Sequence, residues 1–224
     1  MKKIFSFRHL VVLLVLFSVI QSNAQPVPDS TYYHRLYYLC KVWGHAKYYH
    51  TRIAAGLVNW DDQLLPTVTA AKTALSNEAF NNALLTMLNS AGPMGTSTVT
   101  LPVVPDSLNL NLNQDWMQSS YLSPEVKTIL QDIKDKFRPQ SNVYIQSFFT
   151  NSNPKVDMDS LYYYESSYPV EEKRILALCR YWNQVHYLYP YKGIMDQDWD
   201  ITLQEFIPQI ASATDALSFS QAFR

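Results

Sequence analysis

Apolar residues recur at helical spacing in two places far apart in the chain. Leu36, Leu39, Cys40 and Trp43 fall at i, i+3, i+4 and i+7. Ile175, Leu178, Cys179, Trp182, Val185 and Tyr189 keep the same period for longer. A stripe of that period marks an amphipathic helix, which predicts one helix over about 31–50 and another that stops at Pro190, whose ring cannot continue the helical hydrogen bonding. After each comes a short loop and a second helix start, at Asn59-Trp60-Asp61-Asp62 and at Asp198-Trp199-Asp200. There Asn59 and Asp198 stand as N-caps, and an acid in the first turn faces the positive end of the helix dipole. Pro66 and Pro208 fall inside these second helices and predict kinks or breaks. A third helix is expected from Ser76 through Phe80, Leu84 and Leu88 to a stop at Gly92. Its counterpart is expected from Ser218, with Gln221 completing a capping box.

The two regions say nearly the same thing. Aligned without a gap, 35–61 and 174–200 share seven of twenty-seven residues: Arg35/Arg174, Leu39/Leu178, Cys40/Cys179, Trp43/Trp182, Tyr48/Tyr187, Trp60/Trp199 and Asp61/Asp200. Internal similarity at a fixed offset predicts related structural units. The expected fold is therefore mainly α, with two related helical repeat units bridged by a small β-hairpin/loop segment and the second unit truncated. Unit 1 spans 25–92, the connecting segment 93–170 and unit 2, incomplete at Arg224, 171–224. Within the connecting segment, Pro93, Gly95, Pro102 and Pro105 break regular structure. Ser123-Pro124-Glu125 opens a helix to Phe137 with Val126, Ile129, Leu130 and Ile133 on one face. The β-branched and aromatic runs 143–149 and 156–164, separated by Asn151-Ser152-Asn153-Pro154, predict the hairpin. An interrupted second unit would leave Ile207, Ile210, Phe219 and Phe223 as exposed apolar surface.

The N-terminus changes the picture of where the protein works. Lys2, Lys3 and Arg8 precede an apolar run from Leu10 to Ile20, and Ser22-Asn23-Ala24 supplies small residues for cleavage before Gln25. Residues 1–24 thus read as a signal peptide, too short for a confident span, which predicts an exported protein, periplasmic or extracellular, with no membrane segment after cleavage. The first Cys is Cys40, which argues against a lipid anchor beside the cleavage site. Without the leader's three basic residues the balance is 15 basic against 19 acidic groups, a net charge of −4. That excludes nucleic acid and anionic membrane as expected partners, since both call for a basic footprint.

Candidate chemistry adds little. Cys40 and Cys179 hold the same position in the two units, either as a bridge in an oxidising compartment or as two small buried hydrophobes; their apolar flanks favour the second. His34, His45, His50 and His186 include no i, i+4 pair and no Cys-rich cluster, so no metal site is expected. Asp61, Asp62, Asp196, Asp198 and Asp200 are explained by capping more economically than by acid–base work. There is no Gly-x-Ser-x-Gly elbow, and five glycines leave no phosphate-cradling loop. The expected site therefore contains no catalytic, cofactor-binding or metal-ligating residue. What stands out is tyrosine: Tyr32, Tyr33, Tyr37, Tyr38, Tyr48 and Tyr49 in unit 1, Tyr181, Tyr187, Tyr189 and Tyr191 in unit 2, and Tyr162, Tyr163, Tyr164 and Tyr168 between them. Those on the apolar stripes are core candidates; the others suit a recognition surface, because Tyr gives contact area at low entropic cost.

The run Arg174-Ile-Leu-Ala-Leu-Cys-Arg-Tyr-Trp-Asn183 through His186-Tyr-Leu-Tyr-Pro-Tyr-Lys192 to Asp198-Trp-Asp200 resembles the region ahead of the protease core in exported bacterial C-terminal-processing (tail-specific) serine peptidases. Lys41-Val-Trp-Gly-His-Ala-Lys-Tyr-Tyr-His50 with Asn59-Trp-Asp61 resembles the start of the same proteins. The resemblance implies an N-terminal accessory region, a fragment without the Ser/Lys catalytic domain and the PDZ-like domain, whose partner is the protease core of the same parent chain and, through it, a peptide substrate. It carries no catalytic residue onto any position here. The alternative is a self-standing helical peptide- or glycan-binding module of the cell envelope.

Overall fold

The structure, a computed structural model, describes residues 30–95, 113–137, 142–146, 155–156 and 168–223. The leader expected over 1–24 lies outside the described residues, as do 147–149 of the first expected hairpin strand and all of the second except Val156. The described chain is mainly helical. In order it runs α1 (Ser30–Tyr49), α2 (Thr51–Ala54), α3 (Trp60–Thr73), α4 (Asn77–Ser90), a 3-10 turn (Asp115–Gln118), α5 (Pro124–Lys136), α6 (Glu171–Leu188), a 3-10 turn (Lys192–Ile194), α7 (Trp199–Ala211) and α8 (Ala216–Gln221). Between α5 and α6, a two-residue antiparallel ladder pairs Ile145 with Val156 and Gln146 with Lys155.

Local chemistry sets most boundaries. Ser76 and Ser123 cap α4 and α5 by accepting the amides of Ala79 and Val126. Gly92, at φ 73°, follows α4 in the left-handed conformation that glycine tolerates. Tyr189 is extended because Pro190 disfavours a helical residue before it. Three boundaries differ from expectation. α8 begins one turn early, because the capping box is made by Asp215 and Ser218 rather than by Ser218 and Gln221. α3 and α7 run through Pro66 and Pro208 without a break; α3 packs on α1, α4 and α6, and α7 on α1 and α6, and that packing outweighs one lost hydrogen bond. Ile207 and Ile210, expected on an exposed face, are buried in α7, which packs along α6.

The offset of 139 residues reappears in the contacts. In α1 and α3, the indole of Trp43 donates to the Trp60 carbonyl and that of Trp60 to the Trp43 carbonyl, at 3.2 and 3.0 Å. In α6 and α7, Trp182 and Trp199 make the same reciprocal bonds at 2.7 and 3.0 Å. Arg35 donates to the Ala71 and Ala74 carbonyls, closing the end of α3. Arg174 does the same to Ile210 and Ala211 at the end of α7. Each clasp locks a first helix to a second one.

The two clasped pairs meet through α1 and α6. The Asn183 amide donates to the carbonyls of both Cys179 and Cys40, at 2.9 and 3.0 Å. A Cβ on Gly44 would stand 1.8 Å from Asn183 Oδ1, so the backbones approach closely where no side chain intervenes. One turn on, the rings of Tyr48 and Tyr187 are 5.0 Å apart. Cys40/Cys179, Gly44/Asn183 and Tyr48/Tyr187 are equal positions of the two units on three successive turns. Only helices running side by side in the same direction keep equal positions together for that distance. The units are thus related by an approximate two-fold axis parallel to α1 and α6, with α3 and α7 exchanged across it. One hydrophobic core spans both, from Leu36, Leu39 and Trp43 to Leu178, Trp182 and Leu203.

Candidate functional site

The same pseudo-symmetry arranges the charges at the centre of the molecule. Lys41 and Arg180 are equal positions, as are Asp61 and Asp200. Lys41 of α1 reaches across to Asp200 of α7, with Nζ 2.6 Å from Oδ2. Arg180 of α6 reaches across to Asp61 of α3, and Lys47 adds a second cation 3.2 Å from the other Asp61 oxygen. Asp61, Lys47, Arg180 and Lys41 are all buried, whereas the Asp200 side chain is 30% exposed. Asp61 keeps the first-turn place expected of it after Trp60, and its carboxylate is in addition taken up by Arg180 and Lys47. The sequence signal was present as a base six residues after the repeated arginine and an acid after the repeated tryptophan, but nothing local says that each pairs with the other unit.

At N-caps the readings divide. Asp198 caps α7, accepting the Asp200 amide at 2.7 Å. Asn59 makes no cap bond and instead donates to Asp62. Asp196 lies on the exposed turn before α7.

Among the described residues, a cleft lies where α6 meets α7. It holds about 230 Å³ and is lined by Asn113, His186, Lys192, Asp198, Trp199 and Asp200, among others. Lys192 Nζ lies 3.1 Å from both His186 Nδ1 and the His186 carbonyl. Burial, with the Lys192 charge behind it, pushes the His186 imidazole down to about 3, so this ring is neutral and its Nδ1 accepts. Burial also lowers Lys192 to about 8, opposed by the nearby Asp200 and reinforced by Lys41. Lys41 itself is lowered by burial against the pull of Asp200. Lys41 also sits over the rings of Tyr37, Trp116 and Trp182, 4.9 to 5.7 Å from their centres. The cleft thus joins a soft amine, two carboxylates and an indole, a set suited to holding a polar ligand by hydrogen bonds and stacking.

The remaining histidines are apart from it. His45 is fully buried in α1, bonded through Nε2 to the Leu130 carbonyl, and burial pushes it down to about 4. His50 bonds the Gly92 carbonyl behind α4. His34 stands edge-on to Tyr38 and Tyr121. Among the described residues no three His, Cys, Asp or Glu side chains come together as a metal site. Cys40 and Cys179 are both free and buried, and burial raises the Cys179 thiol well above its usual range. No helix of the described residues is long and apolar enough to cross a membrane.

The tyrosines divide largely by unit, with Tyr187 of unit 2 half-buried against Tyr48 and Tyr49. Tyr32, Tyr38 and Tyr48 are core residues, and Tyr33, Tyr37 and Tyr49 pack against the core. Tyr181, Tyr189 and Tyr191 are exposed. They belong to a wider asymmetry. Of twelve exposed large hydrophobic side chains among the described residues, nine lie within 170–223. Ile194, Met195, Ile201 and Phe223 are among those nine. Compared with known proteins, the chain matches no family model, no curated protein and no solved structure.

Proposed function

We propose that this chain is the N-terminal, non-catalytic accessory region of an exported serine endopeptidase, and that its role is to dock on the protease core. The resemblance of both units to the segments ahead of tail-specific peptidase cores suggests the class. The observation that carries the docking role is the concentration of exposed apolar side chains on unit 2, which holds eight of the twelve among the described residues. An uncovered apolar face of that kind is a usual mark of a protein–protein contact. The test is the reading frame beyond codon 224 in the source genome. A frame that continues into a domain with a Ser nucleophile and a Lys base supports the reading. The chain and that core, expressed as separate polypeptides with the nucleophile replaced, should then co-elute as one complex. A stop codon, or a core that ignores the chain, overturns it.

The cleft between α6 and α7 favours a second reading, a self-standing peptide- or glycan-binding module. Trp199 supplies an apolar wall, while Asp198, Asp200 and Lys192 supply polar groups. Binding of a short peptide or oligosaccharide that is lost in Trp199→Ala, in a chain followed by a genuine stop, would support this reading over the first.

A further inference from the structure

The pseudo-symmetry identifies what covers the apolar face of unit 2. Five aromatic side chains gather there: Tyr181 of α6, Trp199 and Phe206 of α7, and Phe219 and Phe223 at α8. Phe223 is the hub, with ring centres 6.2 Å from Tyr181, 6.4 Å from Phe206 and 5.5 Å from Phe219. Tyr181 is 49% exposed and Phe223 38%, and the other three are half-buried. Counting back 139 positions gives Val42, Trp60, Thr67, Phe80 and Leu84 in unit 1, and all five are buried. The same places in the two units therefore differ in one respect. In unit 1 all five lie inside the core, and in unit 2 two are exposed and three are half-buried at its edge.

What closes unit 1 is visible. α5 lies on α1 and α4 and buries Val126, Leu130 and Ile133, at i, i+4 and i+7. The segment before it adds Met117 and Leu122, and sets the Tyr121 ring 6.0 Å from Phe80. α5 is amphipathic, with Lys127, Lys134 and Asp135 away from the buried stripe. By the offset of 139 residues, α6 and the short α8 are the counterparts of α1 and the first turns of α4, and among the described residues no helix lies on them as α5 does.

We infer that the aromatic face formed by Tyr181, Trp199, Phe206, Phe219 and Phe223 is a receptor for an amphipathic helix with aliphatic residues at i, i+4 and i+7. Such a helix takes on unit 2 the place that α5 takes on unit 1, laying its apolar stripe between α6 and α8. The inference deepens the docking role proposed above by naming the surface and the shape of its partner, but it does not require that the partner be a peptidase.

The probe is a peptide of this chain's own 113–137, labelled with a fluorophore and titrated into the purified chain while anisotropy is read. Saturable binding is expected, weakened at least about tenfold by the joint change Tyr181→Ser and Phe223→Ser, which corresponds to about 1.4 kcal/mol. A peptide with Val126, Leu130 and Ile133 all replaced by Ser should not bind. Both altered positions in the chain are exposed, so its helical circular dichroism should be unchanged. Binding that never saturates, or that is the same in the double variant, overturns the inference. So does a chain that is already dimeric by light scattering and becomes monomeric in the double variant, because a second copy then occupies the face. A stop after codon 224 would sink the peptidase reading and leave this result standing.

Discussion

Lys41 and Asp200 lie 2.6 Å apart, joining the first helix of one unit to the second helix of the other, and Arg180 and Asp61 repeat that join in the opposite sense. Two ion pairs related by the pseudo-two-fold thus cross the interface between the units. They are not equal. Asp61 is shut away from water with two cations, whereas Asp200 keeps solvent on one side. Removing one partner of a buried pair costs about 3–5 kcal/mol, because the other charge is left desolvated. Asp61→Asn should therefore destabilise the chain by that amount, measured by urea unfolding. Asp200→Asn should cost clearly less. Equal losses would contradict the difference in burial.

Gly44 should resist a side chain. Its Cβ would meet Asn183 Oδ1 at 1.8 Å, and Asn183 is itself fully enclosed and bonded to two carbonyls. Overpacking at such a place costs about 1–3 kcal/mol. Gly44→Ala is expected to fall in that range alone and to cost much less in an Asn183→Ala background. Additive losses in the double variant would rule out the close approach of α1 and α6.

The tryptophan clasps should show the same inequality as the charges. Trp60 is fully buried and Trp199 is partly exposed, although both make the same bonds. Trp182→Ala, in a buried position, should cost about 3–5 kcal/mol. Trp60→Ala should cost as much, and Trp199→Ala less. Thermal unfolding would rank the three.

Two buried histidines predict acid sensitivity. Burial pushes His45 to about 4 and His186 to about 3, both below the usual value near 6.5. Between those values the unfolded chain binds more protons than the folded one, so stability is full above about pH 6.5 and falls as pH drops toward 4. The loss is on the order of a few kcal/mol for each histidine. Urea midpoints measured from pH 7 to pH 4 should decline, and His45→Gln should flatten the decline. A flat profile in the native chain would mean that these rings are hydrated.

The thiols should be silent until the chain unfolds. Both Cys40 and Cys179 are buried, and Cys179 is held away from the thiolate form. A chromogenic disulfide reagent should find neither in the native protein under reducing preparation and both in guanidinium. Rapid native reaction of either would show that the α1–α6 seam opens.

The sequence alone determined the helices, because a helix answers mainly to neighbours three and four positions away. The stripes Leu36–Trp43 and Ile175–Trp182, the serines at 76 and 123 and the stop before Pro190 are all local signals, and the structure follows them. Repetition of rare residues such as Trp43/Trp182 and Trp60/Trp199 made the internal likeness visible for the same reason: the identities are written in the chain. Only the tertiary structure decided the fate of the polar residues. Asp61 looks like an end-of-helix acid from its neighbours, but its partner Arg180 lies 119 positions away and Lys41 finds Asp200 across 159. Ile207 and Phe223 both look like uncovered apolar residues in sequence. One turned inward onto α6 and the other outward, because the direction a helix face takes depends on which other helix lies against it. Local pattern fixes which side of a helix is apolar; the arrangement of the other helices fixes whether that side is covered.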